Sequence, residues 1–327
     1  MRIFANANYD FIGRRGLFVK VSVAVCAALV VGMIALQFSA GSWMNYGVDF
    51  TGGTMVQVIA PQGATAESIR EIASRVSPGA TVSRFGAESE FLIRVPEFVE
   101  EGAGEESVAN EIVAALQAEY GGDGVQVVRT EAVGARVGSE LQRQAAFAIL
   151  LSFAVTLLYL AFRFEWRFGV AAIVSTFHDI LVVLGVISIL RLEVSLTTVA
   201  AVLTIIGYSL NDTIVVFDRV RENVAKLGRR ETYEKIVNTA INETLPRTVL
   251  TSATTLAALL GLYIFGGAVI REFAFILIVG VVVGTYSSIF IASPALLAIE
   301  RRWPKKEAKK SGGTTGRARS TRVRAAL

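Results

Sequence analysis

Two aspartates lie inside long apolar runs of this sequence and an arginine borders a third, where an uncompensated charge is costly. Asp179 lies about 15 Å along the run that begins at Gly169. Asp212 lies about 7–8 Å before Phe217, where another run ends, and Arg247 opens a third. A charged group at the centre of a bilayer costs from about 2.5 kcal/mol to far more, so such residues are functional candidates by default.

These residue types suit proton transfer across a membrane. Burial and a neighbouring cation have opposite effects on the pKa of a carboxyl group, and their balance can bring protonation within reach of a transmembrane pH difference. Arg247 stays protonated, so it attracts Asp212 and gates the site rather than carrying protons. The alternative is a static clamp between these two residues, with Asp179 bound to a hydroxyl; we favour proton handling. Five supporting polar residues share the same helices: His178, Ser209, Asn211, Thr213 and Thr251.

The composition is that of a membrane protein. Of 327 residues, 53% are hydrophobic and only 18% are charged, against about 25% charged residues in a typical soluble domain. Apolar runs of about 18 or more residues predict transmembrane helices. Six such runs are Val21–Phe38, Ala145–Phe162, Gly169–Leu190, Val194–Phe217, Thr248–Val269 and Phe273–Ile299. Buried helices of a soluble protein, or a cleaved signal peptide in the first run, are the less favoured alternatives.

The distribution of charge predicts how the chain is threaded. The segment to Lys20 has four basic residues and one acidic, Asp218–Arg247 has seven and five, and the tail from Glu300 has ten and two. Gly41–Gln142 has six basic residues against fifteen acidic ones. The positive-inside rule therefore places both termini in the cytoplasm and the large loop in the periplasm. We expect a multi-pass protein of the bacterial cytoplasmic (inner) membrane.

The large loop predicts a small α+β domain. Val56–Ile59, Val82–Phe85, Phe91–Val95 and Val125–Val128 have the apolar patterns of strands. Ala66–Val76 and Val108–Tyr120 each have one apolar helical face, and Gly102–Glu106 is predicted to be a loop. The order β-α-β-β-α-β is that of a ferredoxin-like domain.

The predicted organisation has five parts. Residues 1–20 form a cytoplasmic segment, 21–38 the first span, 41–142 the periplasmic ferredoxin-like domain, 145–299 a five-helix transmembrane bundle, and 300–327 a basic tail. The tail is predicted to be disordered from Trp303 and to bind anionic lipids, at about 1 kcal/mol per basic residue. Nucleic acid or a ribosome is the less favoured partner for it, and we expect no nucleic acid.

Several chemistries are disfavoured by the residues present. His178 is the only histidine, so no multi-histidine metal site and no serine–histidine nucleophile is expected. Gly47–Thr54 lacks the Lys-Ser/Thr of a phosphate loop. We therefore expect no metal, no cofactor and no enzymatic activity. Gly280 and Gly284 are spaced as a helix-packing face, and Cys26 lies in the first span.

Two longer motifs resemble signatures of the SecD/SecF family of protein-export membrane subunits, on its SecF side. They are Gly47-Val-Asp-Phe-Thr-Gly-Gly-Thr54 and Gly207-Tyr-Ser-Leu-Asn-Asp-Thr-Ile-Val-Val-Phe-Asp-Arg-Val-Arg-Glu-Asn223. His178-Asp179 and Pro246-Arg-Thr248 fit the same family. The resemblance runs from about Tyr9 to Ile299, and its motif residues here include Asp49, Gly52, Gly53, Gly207, Asp218 and Arg219.

The resemblance implies a member of the RND superfamily of proton-driven transporters. It implies a SecD-like subunit that supplies six further spans, and action beside the SecYEG translocon and YidC-type accessory proteins on unfolded preproteins. The family's intramembrane Asp and Arg correspond to Asp212 and Arg247, and Asp179 matches a recurring acidic position of less certain role. The implied function is use of the proton gradient to assist preprotein translocation.

The working hypothesis is that protonation of Asp212 weakens its attraction to Arg247, so that two spans shift and the outer domain moves. Two alternatives from other classes remain. One is an RND-type exporter of small molecules or lipids, for which a loop of about 100 residues is small. The other is a structural translocon scaffold that transports no protons, in which Asp212 is dispensable.

Overall fold

The chain begins with a long apolar helix and a short connecting motif. A computed structural model describes residues 7–61, 63–85, 89–95, 106–227 and 230–303. Helix α1 (Arg15–Ser39) is followed by strand β1 (Asn45–Tyr46) and the four-residue helix α2 (Val48–Thr51). The helix starts earlier than the predicted span Val21–Phe38, because the apolar run excludes the basic first turns that still form helix.

A four-stranded antiparallel sheet with two helices follows. Its elements are β2 (Gly53–Ile59), α3 (Ala66–Val76), β3 (Thr81–Arg84), β4 (Glu90–Val95), α4 (Glu106–Tyr120) and β5 (Gln126–Val133). The strand order is β3-β4-β2-β5, with β2 pairing with β4 and β5. This confirms the ferredoxin-like order β-α-β-β-α-β.

The sheet domain has its own apolar core between the sheet and its two helices. Val56 and Val58 of β2 alternate inward, where they share a buried cluster with Ile69 of α3 and Ile112 of α4. Helix α3 begins at a capping box in which the Thr65 side chain accepts a hydrogen bond from the Ser68 backbone N–H. The spacing of apolar residues thus fixes which helix face lies on the sheet.

The remaining helices form the membrane bundle. They are α5 (Ala135–Arg163), α6 (Trp166–Ile189), α7 (Leu196–Leu227), α8 (Tyr233–Phe265), α9 (Ala268–Ser287) and α10 (Ser293–Arg302). Strand β6 (Glu193–Val194) precedes α7, and a π-helical segment (Ser288–Ala292) joins α9 to α10. Within the described residues, six helical stretches are long and apolar enough to cross a membrane.

Several helices extend beyond the predicted boundaries. Helix α5 begins at Ala135, so residues 135–142 belong to a helix that continues into the bundle rather than to the loop domain. Helices α7 and α8 cover most of the predicted polar segment Asp218–Arg247. Helix α8 ends at Phe265 and not at Val269, since Gly266 leaves the helical conformation. Apolar runs mark the membrane-buried part of a helix, whereas hydrogen bonding carries the helix beyond it.

Two segments of the sequence interpretation lie wholly or largely outside the described residues. The basic tail is described only to Trp303, where α10 has ended at Arg302. Of the predicted loop at 102–106, only Glu106 is described, as the first residue of α4. The predicted disorder of the tail stays a prediction.

Small residues allow α9 to approach α7 closely. A Cβ atom at Gly280 would lie 2.3 Å from Cγ1 of Ile205, and one at Gly284 would lie 3.2 Å from Cβ of Ser209. Without a hydrophobic driving force between helices in lipid, such close approach is a main source of helix association.

Gly280→Ala should therefore destabilise the bundle. Overpacking against Ile205 costs about 1–3 kcal/mol, which offsets a gain in helix propensity of up to about 1 kcal/mol. Gly261→Ala is the matched control, because Gly261 of α8 has nothing within 4 Å of an added Cβ. Thermal unfolding of the full chain should show a lower Tm for Gly280→Ala than for Gly261→Ala; equal values would contradict the packing role.

Candidate functional site

Asp179 of α6 is fully buried at the meeting point of three helices. Its Oδ2 accepts hydrogen bonds from the Ser209 hydroxyl of α7 and from the Ser287 hydroxyl of α9, the latter at 2.7 Å. Gly284 packs against Ser209, so the backbone of α9 comes near enough for Ser287 to reach the carboxylate. The small-residue face therefore also shapes the polar site.

His178 holds the other carboxylate oxygen of Asp179. Its Nδ1 lies 2.9 Å from Oδ1, and its ring lies 6.4 Å, centroid to centroid, from that of Tyr286. The Tyr286 hydroxyl donates to the Phe18 carbonyl at 3.1 Å and lies 2.9 Å from Ser22 Oγ. Tyr286 thus links α1 to the His178 ring, which lies beside the buried carboxylate of Asp179.

Asp212 is buried in α7 with a different environment. Its Oδ2 has no hydrogen-bond partner in the described part of the chain, and the Thr248 hydroxyl of α8 is in the same condition. The buried hydroxyls of Ser175 and Tyr208 also lack partners among the described residues. Because buried polar groups in folded proteins are nearly always paired, these atoms are candidates to bind water or a polar group of a partner.

Arg247 does not form an ion pair with Asp212. No contact within 4.0 Å joins the two side chains, although the guanidinium is near enough to act on the carboxylate electrostatically. Arg247 is instead exposed on the surface of α8. The predicted attraction is therefore a through-space effect in this conformation.

The supporting polar residues play different parts. Ser209 binds Asp179, whereas Thr213 donates to the Ser209 carbonyl at 3.3 Å and Thr251 donates to the Arg247 carbonyl at 3.0 Å. Asn211 is exposed on α7. The structure thus brings His178 and Ser209 to Asp179, while Thr213 and Thr251 satisfy backbone groups of their own helices.

A polar stripe runs along the exposed surfaces of α7 and α8. Thr204, Gly207 and Asn211 are exposed at helical spacing on α7. Arg247 and Thr254 are exposed on α8. A charged side chain at membrane depth is costly, so this stripe is a candidate contact surface for polar groups of another protein.

The glycine-rich motif joins the sheet domain to the bundle. Asp49 Oδ2 accepts a hydrogen bond from the backbone N–H of Leu196, the first residue of α7, at 2.8 Å. Gly52 and Gly53 have φ angles of 72° and 110°, which residues other than glycine rarely adopt. On α5, a Cβ at Gly138 would lie 3.0 Å from the Gly52 nitrogen. The motif therefore contacts two membrane helices.

A half-buried ionic network strengthens the same junction. Arg94 of β4 pairs with Glu193 at 2.7 Å and donates to Asn45 Oδ1 at 2.9 Å. Glu272 of α9 accepts from the Glu193 backbone N–H at 2.8 Å. Strands β1 and β6 pair in parallel, Asn45 with Glu193 and Tyr46 with Val194. The sheet domain is thus attached to the first turns of α7 and α9.

The Gly207–Asn223 motif forms ion pairs towards the C-terminal end of α7. Asp218 pairs with Arg163 of α5 at 2.9 Å, and Arg219 pairs with Glu243 of α8 at 2.6 Å. These ion pairs hold α7 to its neighbours and do not contact Asp212 or Asp179. Sequence reasoning missed Ser287, Glu193 and Glu272. Of these, only Ser287 had a signal in the sequence, namely its helical spacing from Gly280 and Gly284.

Family profiles match most of the chain. The profile described as "Protein export membrane protein SecD/SecF, C-terminal" matches residues 112–302. The profile described as "SecD/SecF GG Motif" matches residues 38–58. The second match includes Asp49, Gly52 and Gly53, the residues at the junction of the sheet domain and the bundle.

Characterised relatives and a solved structure are similar over most of the chain. A "Protein translocase subunit SecF" from Gemmatimonas aurantiaca is 45% identical over 93% of this chain and 91% of its own length. A "Protein translocase subunit SecDF" from Thermus thermophilus is 40% identical, over 93% of this chain and 40% of its own. The crystal structure of SecDF from the same organism, titled a translocon-associated membrane protein, matches with a TM-score of 0.80 and 37% identity. That match covers 91% of this chain and 39% of the SecDF chain.

Ser287→Ala should destabilise the bundle more than Ser288→Ala. Both residues are fully buried, but Ser287 donates to the Asp179 carboxylate while Ser288 donates to the Thr285 carbonyl. Loss of a donor to a buried carboxylate costs about 1–3 kcal/mol. Equilibrium unfolding of the full chain measures the difference in free energy of unfolding. A double-mutant cycle of Ser209→Ala and Ser287→Ala tests whether the two hydroxyls share the Asp179 acceptor, and a coupling energy near zero would contradict it.

Proposed function

We propose that this chain, which belongs to the SecD/SecF family of protein-export membrane proteins, is a SecF-type subunit. The complex that contains it uses protons to assist preprotein translocation. The observation that carries the proton step is the buried Asp212 carboxylate, which has an oxygen without a partner among the described residues. The role is one of transport and not of enzymatic catalysis. It fits a multi-pass membrane protein whose relatives are named translocase subunits.

Asp212 is the proposed proton-binding residue, and Asp179 a positioning residue. The oxygens of Asp179 are occupied by His178, Ser209 and Ser287, so its cluster holds α6, α7 and α9 together. Asp212 lies on the same helix as Ser209 and has a free oxygen for a water or a partner side chain. A change of charge at Asp212 therefore acts on α7 about one turn away from Ser209, where the contact with Asp179 holds that helix.

Arg247 is proposed to bind Asp212 only in one state of the cycle. In the conformation described, Arg247 is exposed and unpaired with Asp212. Deprotonation of Asp212 attracts the guanidinium, and protonation releases it. The two states differ in how α7 and α8 lie against each other, which is the differential interaction that a proton needs to shift a conformational equilibrium.

A SecD-like subunit is the proposed cover of the polar stripe on α7 and α8. The exposed Asn211, Arg247 and Thr254 need polar partners at membrane depth. The chain spans about two fifths of the Thermus thermophilus SecDF chain, which leaves the rest of that chain as the counterpart of a separate subunit. SecYEG, YidC-type accessory proteins and unfolded preproteins complete the proposed set of partners.

The proposed location is the bacterial inner membrane with both termini in the cytoplasm. The acidic sheet domain then lies in the periplasm, and the ion pairs at the Asp218 end of α7 lie at the cytoplasmic surface. One proton moving through 100 mV releases about 2.3 kcal/mol, or about fiftyfold in an equilibrium constant. That is enough to shift a two-state helix arrangement.

Asp212→Asn should abolish the stimulation of preprotein export by a proton gradient. The neutral side chain cannot alternate in charge, so the stimulated rate in reconstituted vesicles should fall at least about tenfold towards the rate measured without a gradient. Arg247→Met should do the same, while Arg247→Lys should retain part of the effect because it keeps a cation. Glu231→Gln is the control, since its partner among the described residues is the exposed Lys235. Unchanged export in both Asp212→Asn and Arg247→Met would refute the proton step and favour a scaffold.

Asp49→Ala should uncouple the sheet domain from α7. The carboxylate at the first turn of α7 contributes about 1 kcal/mol, and its loss removes one attachment of the domain to the helix that carries Asp212. We expect faster hydrogen exchange at Leu196 and weaker gradient-dependent export. Asp49→Asn, which keeps an oxygen acceptor, should retain most of both. Slow exchange at Leu196 in the alanine variant would show that the cap is not a coupling contact.

A further inference from the structure

We propose that the chain binds an anionic phospholipid in a groove between α1, α6 and α10, on the membrane-facing surface of the bundle. The groove has a volume of about 870 Å³ and is open along one side. It lies away from the polar stripe of α7 and α8 and from the junction with the sheet domain. The proposal concerns a ligand of the bundle itself and does not depend on the proton step.

The groove results from how α1 lies against α6. Towards the sheet domain the two helices touch closely: a Cβ at Gly185 would lie 2.8 Å from Cβ of Leu29, and one at Gly32 would lie 3.1 Å from Cδ1 of Ile189. The groove runs beside this contact and is lined on α1 by residues from Arg15 to Val31. Small side chains keep it open, namely Gly16 and Ala27 of α1 and Ala295 and Ala298 of α10.

The walls fit an acyl chain. Most lining side chains are apolar: Val19, Val23, Val30 and Val31 of α1, Val174, Phe177 and Leu181 of α6, and Ile291 and Pro294 beyond α9. The Ser22 hydroxyl is turned away to Tyr286. From Arg15 to Val31 the groove follows α1 for about 24 Å, more than one leaflet of a hydrocarbon core about 30 Å thick.

One end of the groove is positively charged. Arg15 lines it and pairs with Glu234 at 3.1 Å, and Arg301 of α10 pairs with that same carboxylate. Two guanidiniums thus share one carboxylate, which leaves an excess positive charge. Arg14 and Lys20 are exposed on the same end of α1. Basic pockets between membrane helices bind anionic headgroups, so the charge matches the phosphate of a phospholipid whose chain fills the groove.

The site has a consequence for the polar cluster inside the bundle. His178 lines the groove and also holds the Asp179 carboxylate through Nδ1. An acyl chain in the groove covers the imidazole from the lipid side and excludes water there. The lipid therefore completes the apolar surroundings of the Asp179 cluster.

The test uses the full chain with its SecD-like partner in phosphatidylcholine nanodiscs. A small fraction of phosphatidylglycerol or phosphatidylcholine bearing a photoactivatable diazirine on an acyl chain is added, and adducts are mapped by peptide mass spectrometry. The variants are Arg15→Gln, Arg15→Lys and Ala298→Trp, in which the bulky ring fills the groove. Ala154→Trp on the exposed face of α5 is the matched control.

We expect adducts on groove residues of α1 and α10, with about a fivefold preference for phosphatidylglycerol, the effect of about 1 kcal/mol per basic residue. Arg15→Gln should remove the headgroup preference and Arg15→Lys should keep it. Ala298→Trp should lower labelling of the groove by both lipids, whereas Ala154→Trp should not.

Two results would overturn the proposal. Equal labelling of the groove and of the α5 surface by both lipids would mean ordinary surrounding lipid only. Groove labelling that is present for the chain alone and disappears in the complex would mean that a helix of the partner occupies the groove.

Discussion

The structure depends on one constraint: a carboxylate inside a membrane must find its hydrogen-bond donors within the protein. Asp179 of α6 meets it by taking Ser209 from α7, Ser287 from α9 and His178 from its own helix. Gly280 and Gly284 of α9 allow the close approach to α7 on which this contact depends. Helix packing and polar satisfaction are therefore one requirement, and neither can be changed alone.

Asp212 shows the opposite solution on the same helix. Asp212 is buried, as Asp179 is, yet one of its oxygens lacks a hydrogen-bond partner among the described residues. The Thr248 and Tyr208 hydroxyls also lack partners there. A fully satisfied site stabilises one arrangement, whereas a partly satisfied one leaves a free energy difference for a proton or a partner subunit to supply. The contrast between two aspartates in adjacent helices is the basis for proposing a structural role for Asp179 and a proton-binding role for Asp212.

The sequence predicted the membrane helices and the order of elements in the sheet domain, and it pointed to the buried positions of Asp179 and Asp212, because apolar periodicity and the cost of buried charge are local properties. It could not predict which hydroxyl reaches which carboxylate. Ser287 was missed because its role arises from α9 lying against α7, and the distance between Arg247 and Asp212 depends on the packing of α8 against α7, which the sequence does not show. The junction residues Glu193 and Glu272 were missed for the same reason: they come from turns and helix ends whose neighbours are far away in sequence.

The hydrogen bond from Leu196 to Asp49 turns α7 into a stiff lever. Asp212 lies sixteen residues beyond Leu196, which is about 24 Å of helix. A tilt of about 5° around Asp212 therefore displaces the far end by about 2 Å, more than a hydrogen bond of 2.8 Å tolerates. Either the cap breaks or the sheet domain travels with the helix, and the Arg94–Glu193 pair and the strand pairing of Asn45 and Tyr46 resist breakage. In the proposed cycle, a change of charge at Asp212 would therefore displace the folded sheet domain at the other end of α7.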